Sequence, residues 1–177
     1  MDIEAQIESL KRTIRDVPDF PKPGIVFKDI TTLLKDAQAF RRALDLFTVL
    51  CGDRPADKVL AIESRGFILG GALAQRLGIG FVPVRKPGKL PAPTLRASYA
   101  LEYGADSLEI HEDAVAAGER VLVVDDVIAT GGTAQAAGGL VEKMGGRVVA
   151  YAFLVELTFL KGREKLRGAD VLSLIRY

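Results

Sequence analysis

The sequence predicts an α/β fold, a central and mainly parallel twisted sheet flanked by helices. Three observations lead there. From residue 58 onward, apolar runs alternate with segments of helical periodicity. The runs KVLAI, RVLVVDD and RVVAYAFLVEL are continuously apolar, as in strands covered on both faces, and do not alternate as half-exposed strands do. Glycine-bearing turns, ESRGF and ATGGT, lead from two of these runs into helical patterns. Right-handed crossovers then place helices on both faces. Ligands of such sheets gather at the C-terminal ends of the strands.

The elements follow in order. Ile3, Ile7, Leu10 and Ile14 recur at helical spacing and predict a first helix through IEAQIESLKRTIRDV. PDFPKPGIVFKDIT, with three prolines and a glycine, reads as irregular but ordered. DAQAFRRALDLFTVL is a helix with Asp36 as its N-cap. KVLAI is a strand, ESRGFILGGALAQRLG a turn into a helix, and FVPVRK a strand. RKPGKLPAPTLRASYALEYG carries three prolines and a weak β pattern around residues 98–103, and reads as a long arm or loop. SLEIHEDAV is a strand paired with it. RVLVVDD leads through the glycine loop to TAQAAGGLVEKMGG, a helix with Ala134, Ala137, Val141 and Met144 on one face. RVVAYAFLVEL is a strand, LKGREKLRG a short helix, and ADVLSLI a last strand.

A chain of 177 residues suits one domain with a full core. The division expected is a single domain, 1–177, with a helix and hood segment at 1–34 and an α/β core at 35–177 that includes an arm at 86–107. The net charge of +1 supplies no uniform field for nucleic acid or an anionic membrane. A lone cysteine, Cys51, excludes an internal disulfide framework or a Cys-rich zinc site and reads as a buried thiol. The N-terminal MDIEAQIESLKR lacks an apolar signal core, and no apolar run reaches the ~20 residues of a membrane helix. A cytoplasmic protein is expected.

VLVVDDVIATGGT carries the chemistry. Glycines let the chain turn tightly and bring backbone amides close to a ligand. The first turn of the following helix favours an anion. Thr130 and Thr133 add hydroxyls beside Ala129, Gly131 and Gly132. The spacing is too short for a Walker loop and lacks its lysine. Asp125 and Asp126 sit just before this cradle and admit two uses: binding Mg²⁺ directly or through water, or accepting hydrogen bonds from ribose hydroxyls whose 5′-phosphate fills the loop.

An apolar strand, two acidic residues, two apolar residues and then a TGGT loop resembles the phosphoribosyl diphosphate signature of type I phosphoribosyltransferases. PDFPKPGIVFKDIT, ESRGFILGGALA, RKPGKLPAPT, SYALEYG and VELTFLKGREKL, in that order, are similar to the members whose acceptor is adenine, over nearly the whole chain. The resemblance implies that family's fold, with a small N-terminal hood and a flexible β-arm serving as a lid. It implies transfer of phosphoribosyl from its diphosphate to N9 of adenine, giving AMP and diphosphate. It also implies a homodimer and Mg²⁺ carried mainly by the substrate diphosphate and water, with no metal ligand assigned directly to the protein.

Residue roles follow from the same likeness. Asp125 and Asp126 hold the ribose, and Ala129, Thr130, Gly131, Gly132 and Thr133 hold its phosphate. Glu63, Ser64 and Arg65, with Lys86, Lys89 and Tyr103, serve the diphosphate, and Arg85 is structural. Glu102 handles the purine proton, with Arg65 as the second catalytic residue, and Ser98 and Tyr99 belong to the lid. Val26, Phe27, Lys28 and Leu157 meet adenine, with the Val26 carbonyl accepting from the 6-amino group. A 6-oxopurine would set acceptor against acceptor there, at about 1–3 kcal/mol. Lys28 stands where relatives often carry Arg. Ala129 stands where 6-oxopurine enzymes carry Asp, which agrees with adenine. His111, the sole histidine, reads as structural.

Two other classes of protein share parts of this pattern. VLVVDD also opens receiver domains, but there the acidic pair follows the first strand, with most of the domain still to come. A regulator that senses phosphoribosyl diphosphate and binds nucleic acid would need a basic module that the near-neutral charge does not suggest.

Overall fold

The computed structural model describes residues 2–101 and 104–177, without side-chain detail at residues 100, 101, 104 and 105. It forms two compact units, Met1–Phe47 and Thr48–Tyr177.

In the first unit, α1 (Ile3–Lys11) is capped by the Asp2 carboxylate, which accepts from the Glu4 N–H. The helix stops short of Ile14. Thr13 donates its hydroxyl to the Leu10 carbonyl at 2.6 Å, a local bond that competes with helix continuation. Residues Arg15–Val17 then form β1, paired antiparallel with β2 (Phe27–Asp29). Cross-strand charges reinforce this short ladder: Arg15 with Asp29, and Lys28 with Asp16 at 2.7 Å. Hydrogen bonds from the Thr31 side chain first, then from Arg15, hold the Asp29 carboxyl down at about 2. The Phe20 and Phe27 rings meet edge to face at 5.2 Å, and the Phe20–Pro21 peptide is cis. A short α2 (Thr31–Leu34) precedes α3 (Ala37–Gly52), whose first turn donates to Asp36 from Gln38 and Ala39, as the sequence led us to expect.

The second unit is built on β3 (Lys58–Ile62), α4 (Arg65–Leu77), β4 (Gly80–Val84), the hairpin β5 (Thr94–Leu101) and β6 (Gly104–His111), β7 (Arg120–Ile128), α5 (Gly132–Lys143), β8 (Arg147–Glu156) and β9 (Asp170–Arg176). Five strands form a parallel sheet in the order β4-β3-β7-β8-β9. Side chains of a strand point alternately to its two faces, and both faces are covered. Leu60, Ile62, Val123, Tyr151 and Phe153 join Ala137, Leu140 and Val141 of α5 in one core cluster. On the opposite face, Gly70 of α4 lies directly over Ala61 and Val59 of β3. Cys51 is buried, and burial pushes its thiol up to about 12, so it is inert.

The β pattern expected in the arm, paired with the strand that follows it, is present: Thr94–Leu101 pairs residue for residue with Gly104–His111. Leu108 and Ile110 enter the main core, with Leu95 and Ala97 packed against it, which holds the hairpin on the sheet. Residues Thr158–Leu160 and Gly162–Lys165 form two 3₁₀ turns in place of one short helix.

The strand β4 lies at the edge of the sheet. The Gly80 N–H donates to Asp57 and the Val84 carbonyl accepts from Glu63, so the alternate residues Phe81 and Pro83 turn their backbone groups away from β3. Beyond β4, Arg85 exchanges two backbone hydrogen bonds with Glu109 of the hairpin.

Candidate active site

The C-terminal ends of β3, β4 and β7 lie side by side. Each contributes one piece of chemistry, all within the second unit.

At β7, Asp125 and Asp126 are consecutive, so their side chains diverge. Asp126 is 5% exposed and pairs with the Arg65 guanidinium. Asp125 accepts the Asp126 backbone N–H at 2.8 Å. Burial, and then the neighbouring Asp126 charge, push the Asp125 carboxyl well above the ordinary carboxylate range. The β3–α4 turn presses on this pair. A methyl at Gly66 would stand 2.7 Å from the Asp125 carboxylate, so only glycine lets the turn close there.

Beyond the pair, β7 ends and residues 129–131 curl into α5. Gly131 is the N-cap at φ 79°, a left-handed conformation suited to glycine. Asp125, Ala129, Thr130, Gly131 and Thr133 line a small cavity of about 90 Å³. It opens at the N-terminus of a twelve-residue helix, where free amides and the dipole attract an anion.

At β3, the Glu63–Ser64 peptide is cis, and Arg65 begins α4 with its side chain 42% exposed. The Glu63 carboxylate is committed inward. It receives the Arg85 fork at 3.1 and 3.2 Å and the Lys86 N–H at 2.9 Å, which leaves the backbone of this turn to face a ligand. Burial opposes the charge of Glu63, but the Arg85 and Lys86 hydrogen bonds outweigh it and the carboxyl is lowered.

At β4, the basic loop 85–89 is tied at several points. Arg85 also donates to the Lys89 carbonyl at 3.1 Å, and the Gly88 N–H donates to Glu109 at 2.8 Å. Lys86 pairs with Asp106 and bonds the Tyr99 hydroxyl at 3.2 Å, so this loop is latched to the hairpin. The Lys89 side chain is exposed. Sequence reasoning passed over Asp106 and Glu109; their only signal was the acidic character of the strand opposite a basic arm.

Glu109 holds both Arg96 and Gly88, and these hydrogen bonds, Arg96 first, keep its carboxyl below the usual range. Its hold on the loop is therefore complete above the ordinary carboxylate range and is lost as pH falls through the lowered value. Replacing Glu109 with Gln should loosen the loop at neutral pH. The expected result is a several-fold weaker affinity for an anionic ligand of the loop, with the melting temperature little changed. Titration of inorganic diphosphate by calorimetry checks it, and unchanged affinity would refute this role.

Of the remaining expected residues, Ser98 and Tyr99 lie on β5. The Ser98 hydroxyl meets that of Ser107 at 2.9 Å. Leu157 follows β8 and donates its N–H to the Ile128 carbonyl at 3.0 Å. His111 ends β6, where Nε2 accepts from the Ala92 N–H. Val26, Phe27 and Lys28 belong to the first unit, with Val26 exposed and the Lys28 ammonium paired to Asp16. Glu102 and Tyr103 lie outside the described residues. Among the described residues, no three His, Cys, Asp or Glu side chains cluster to hold a metal ion, and no helix is long and apolar enough to cross a membrane.

Two acceptor carboxylates thus stand beside a small cavity at a helix N-terminus that attracts an anion, at the strand ends of a parallel α/β sheet. The model of the phosphoribosyl transferase domain matches residues 34–171. An adenine phosphoribosyltransferase of Thermoanaerobacter sp. (strain X514) is 58% identical over 171 residues, 97% of this chain and 99% of that protein. The chain belongs to the phosphoribosyl transferase family, among the adenine phosphoribosyltransferases. The crystal structure of the enzyme from Thermoanaerobacter pseudethanolicus superposes with a TM-score of 0.95 at 57% identity, covering 97% of this chain and 99% of that one. The Saccharomyces cerevisiae enzyme, solved with adenine and an imino-altritol bisphosphate, gives 0.93 at 43% identity, covering 97% and 99%.

Proposed function

We propose that the protein transfers the 5-phosphoribosyl group of phosphoribosyl diphosphate to N9 of adenine, releasing AMP and diphosphate in purine salvage. The observation that carries this reading is the Asp125–Asp126 pair running directly into the glycine-capped start of α5. The yeast relative, solved with adenine, supports the choice of base.

In this reading N9 forms a bond to C1′ while the C1′–O bond to diphosphate breaks and its electron pair leaves with the diphosphate oxygen. The proton of the purine ring goes to Glu102. Asp125 and Asp126 accept the ribose hydroxyls, and residues 129–133 hold the 5′-phosphate. Arg65, Lys86, Lys89 and Tyr103, with the backbone at Glu63 and Ser64, face the leaving group, whose negative charge they offset. Lys86 must leave Asp106 to do so, which links donor binding to movement of the hairpin bearing Ser98 and Tyr99 and to exclusion of water. Val26, Phe27, Lys28 and Leu157 are proposed base contacts. Mg²⁺, carried on diphosphate oxygens and water, would neutralise further charge on the leaving group; the protein's own part in this reading is to bring cations and amides. A homodimer and a cytoplasmic location belong to the same proposal and rest on the family likeness.

The test is a product assay with Mg²⁺ and phosphoribosyl diphosphate against adenine, hypoxanthine, guanine, xanthine, orotate and uracil separately. AMP from adenine is expected, with hypoxanthine at least ~10-fold poorer in kcat/KM. Product from a 6-oxopurine or a pyrimidine instead would overturn the base assignment.

A further inference from the structure

Beyond Leu157, the segment after β8 makes a very close backbone contact at the site. A methyl placed on Gly162 would lie 2.2 Å from the Ala129 carbonyl oxygen and 2.9 Å from the Gly131 nitrogen. The reverse contact is as close, since a methyl on Gly131 would lie 2.3 Å from the Gly162 carbonyl oxygen. Both neighbours are main chain and cannot rotate aside as a flexible side chain could. The two glycines lie back to back, and the phosphate loop leans on Gly162.

What fixes Gly162 is an ion pair made by the residue that follows it. Glu156, the last residue of β8, is 3% exposed and receives the Arg163 fork, Nε to Oε1 at 2.6 Å and Nη2 to Oε2 at 2.7 Å. Arg176 adds a second cation at 3.4 Å. A two-pronged pair fixes direction as well as distance. Lys161, at φ 54°, turns the chain between the two 3₁₀ turns and delivers Gly162 to the loop. Upstream, the Leu157 N–H holds the Ile128 carbonyl at 3.0 Å, so the loop is braced at both ends by one short segment.

We propose that Gly162 and Arg163 are positioning residues for the donor phosphate. Together they form a backstop that sets the direction of the amides at residues 129–133. The inference rests on the donor-site reading above. Amides must converge on an anion within narrow limits of distance and angle, and a loop displaced by the bulk of one methyl no longer offers that geometry.

The test uses the full chain carrying Gly162→Ala or Arg163→Lys. Gly139→Ala serves as the control, because a methyl there meets nothing within 4 Å and lies outside the site. Steady-state kinetics give KM for phosphoribosyl diphosphate and for adenine, inhibition by ribose 5-phosphate probes the phosphate loop alone, and thermal melts report the fold. For Gly162→Ala, the donor KM and the ribose 5-phosphate inhibition constant should rise together, by about 10- to 100-fold. The adenine KM should stay within about twofold. Arg163→Lys keeps the charge but not the fork and should shift the same two constants less, in the same direction. Gly139→Ala should match the parent. If Gly162→Ala binds ribose 5-phosphate like the parent and only melts earlier, the segment is merely structural and the proposal fails. Should Gly162→Ala not fold, unaltered ribose 5-phosphate inhibition in Arg163→Lys would refute it equally. A parent protein blind to ribose 5-phosphate would instead remove the donor-site reading itself.

Discussion

An Asp125→Asn protein is expected to melt higher than the parent and to lose most of its use of phosphoribosyl diphosphate. Both halves come from one environment. The Asp125 carboxyl is pushed up by burial and by the charge of Asp126. A group whose folded value lies above its unfolded one binds its proton more tightly in the native state, so folding loses stability as pH rises through that interval. Asparagine has no charge to bury and keeps an oxygen for the Asp126 N–H. For a chain of this size each kcal/mol recovered appears as roughly 2–4 °C in Tm. The gain should therefore be small at about pH 4 and larger at about pH 7. Function runs the other way, because an amide is a weaker acceptor than a carboxylate and presents a donor on its other arm. Loss of one charge-assisted bond to ribose, about 1.5–3 kcal/mol, weakens the donor roughly 10- to 100-fold. Melts at two pH values and a donor titration check both parts. A lower Tm at neutral pH, or an unchanged donor KM, would contradict the account.

The second large effect falls on Arg65. Replacing it with Ala should lower kcat by about 10²–10³, the usual cost of deleting one preorganised group that meets developing charge. It also strips the buried Asp126 of its partner. The Arg65 side chain is 42% exposed, so water screens that pair, and the stability cost should lie near the ~1 kcal/mol of surface pairs, well below that of buried ones. Arg65→Lys should restore part of the rate, since a point charge still offsets the leaving group while the planar fork is gone. Single-turnover rates with saturating donor separate this from a binding defect. Full activity in Arg65→Ala would show that diphosphate departure is assisted elsewhere.

The strands of the parallel sheet were legible because each is a run of apolar residues bounded by glycine or charge, and the phosphate loop because its glycines sit between strand and helix. The errors share one cause. Ile14 continues a helical period, but a Thr13 hydroxyl bond and pairing of residues 15–17 with residues 27–29 end the helix first. The β pattern of the arm looked weak because its prolines cluster before Thr94, while the burial that orders it comes from residues across the hairpin. Glu63 could be read as part of the turn, but its commitment to Arg85 and Lys86 required the end of β4 to arrive beside it. Gly162 was unreadable for the same reason. A lone glycine between two charged residues looks like an ordinary turn, and only the approach of a distant loop makes its missing side chain necessary.

The outer rim of the sheet at β4 bears on how the protein behaves when crowded. A parallel strand offers a newcomer only the backbone groups of every second residue, which here are Phe81 and Pro83. Proline has no N–H to give, so Phe81 holds the one donor of that pair, and past Val84 the hairpin has already claimed Arg85. A stray strand from another molecule would find too short a template to zip onto. This edge is therefore blunted against the strand-to-strand pairing between molecules that seeds aggregation.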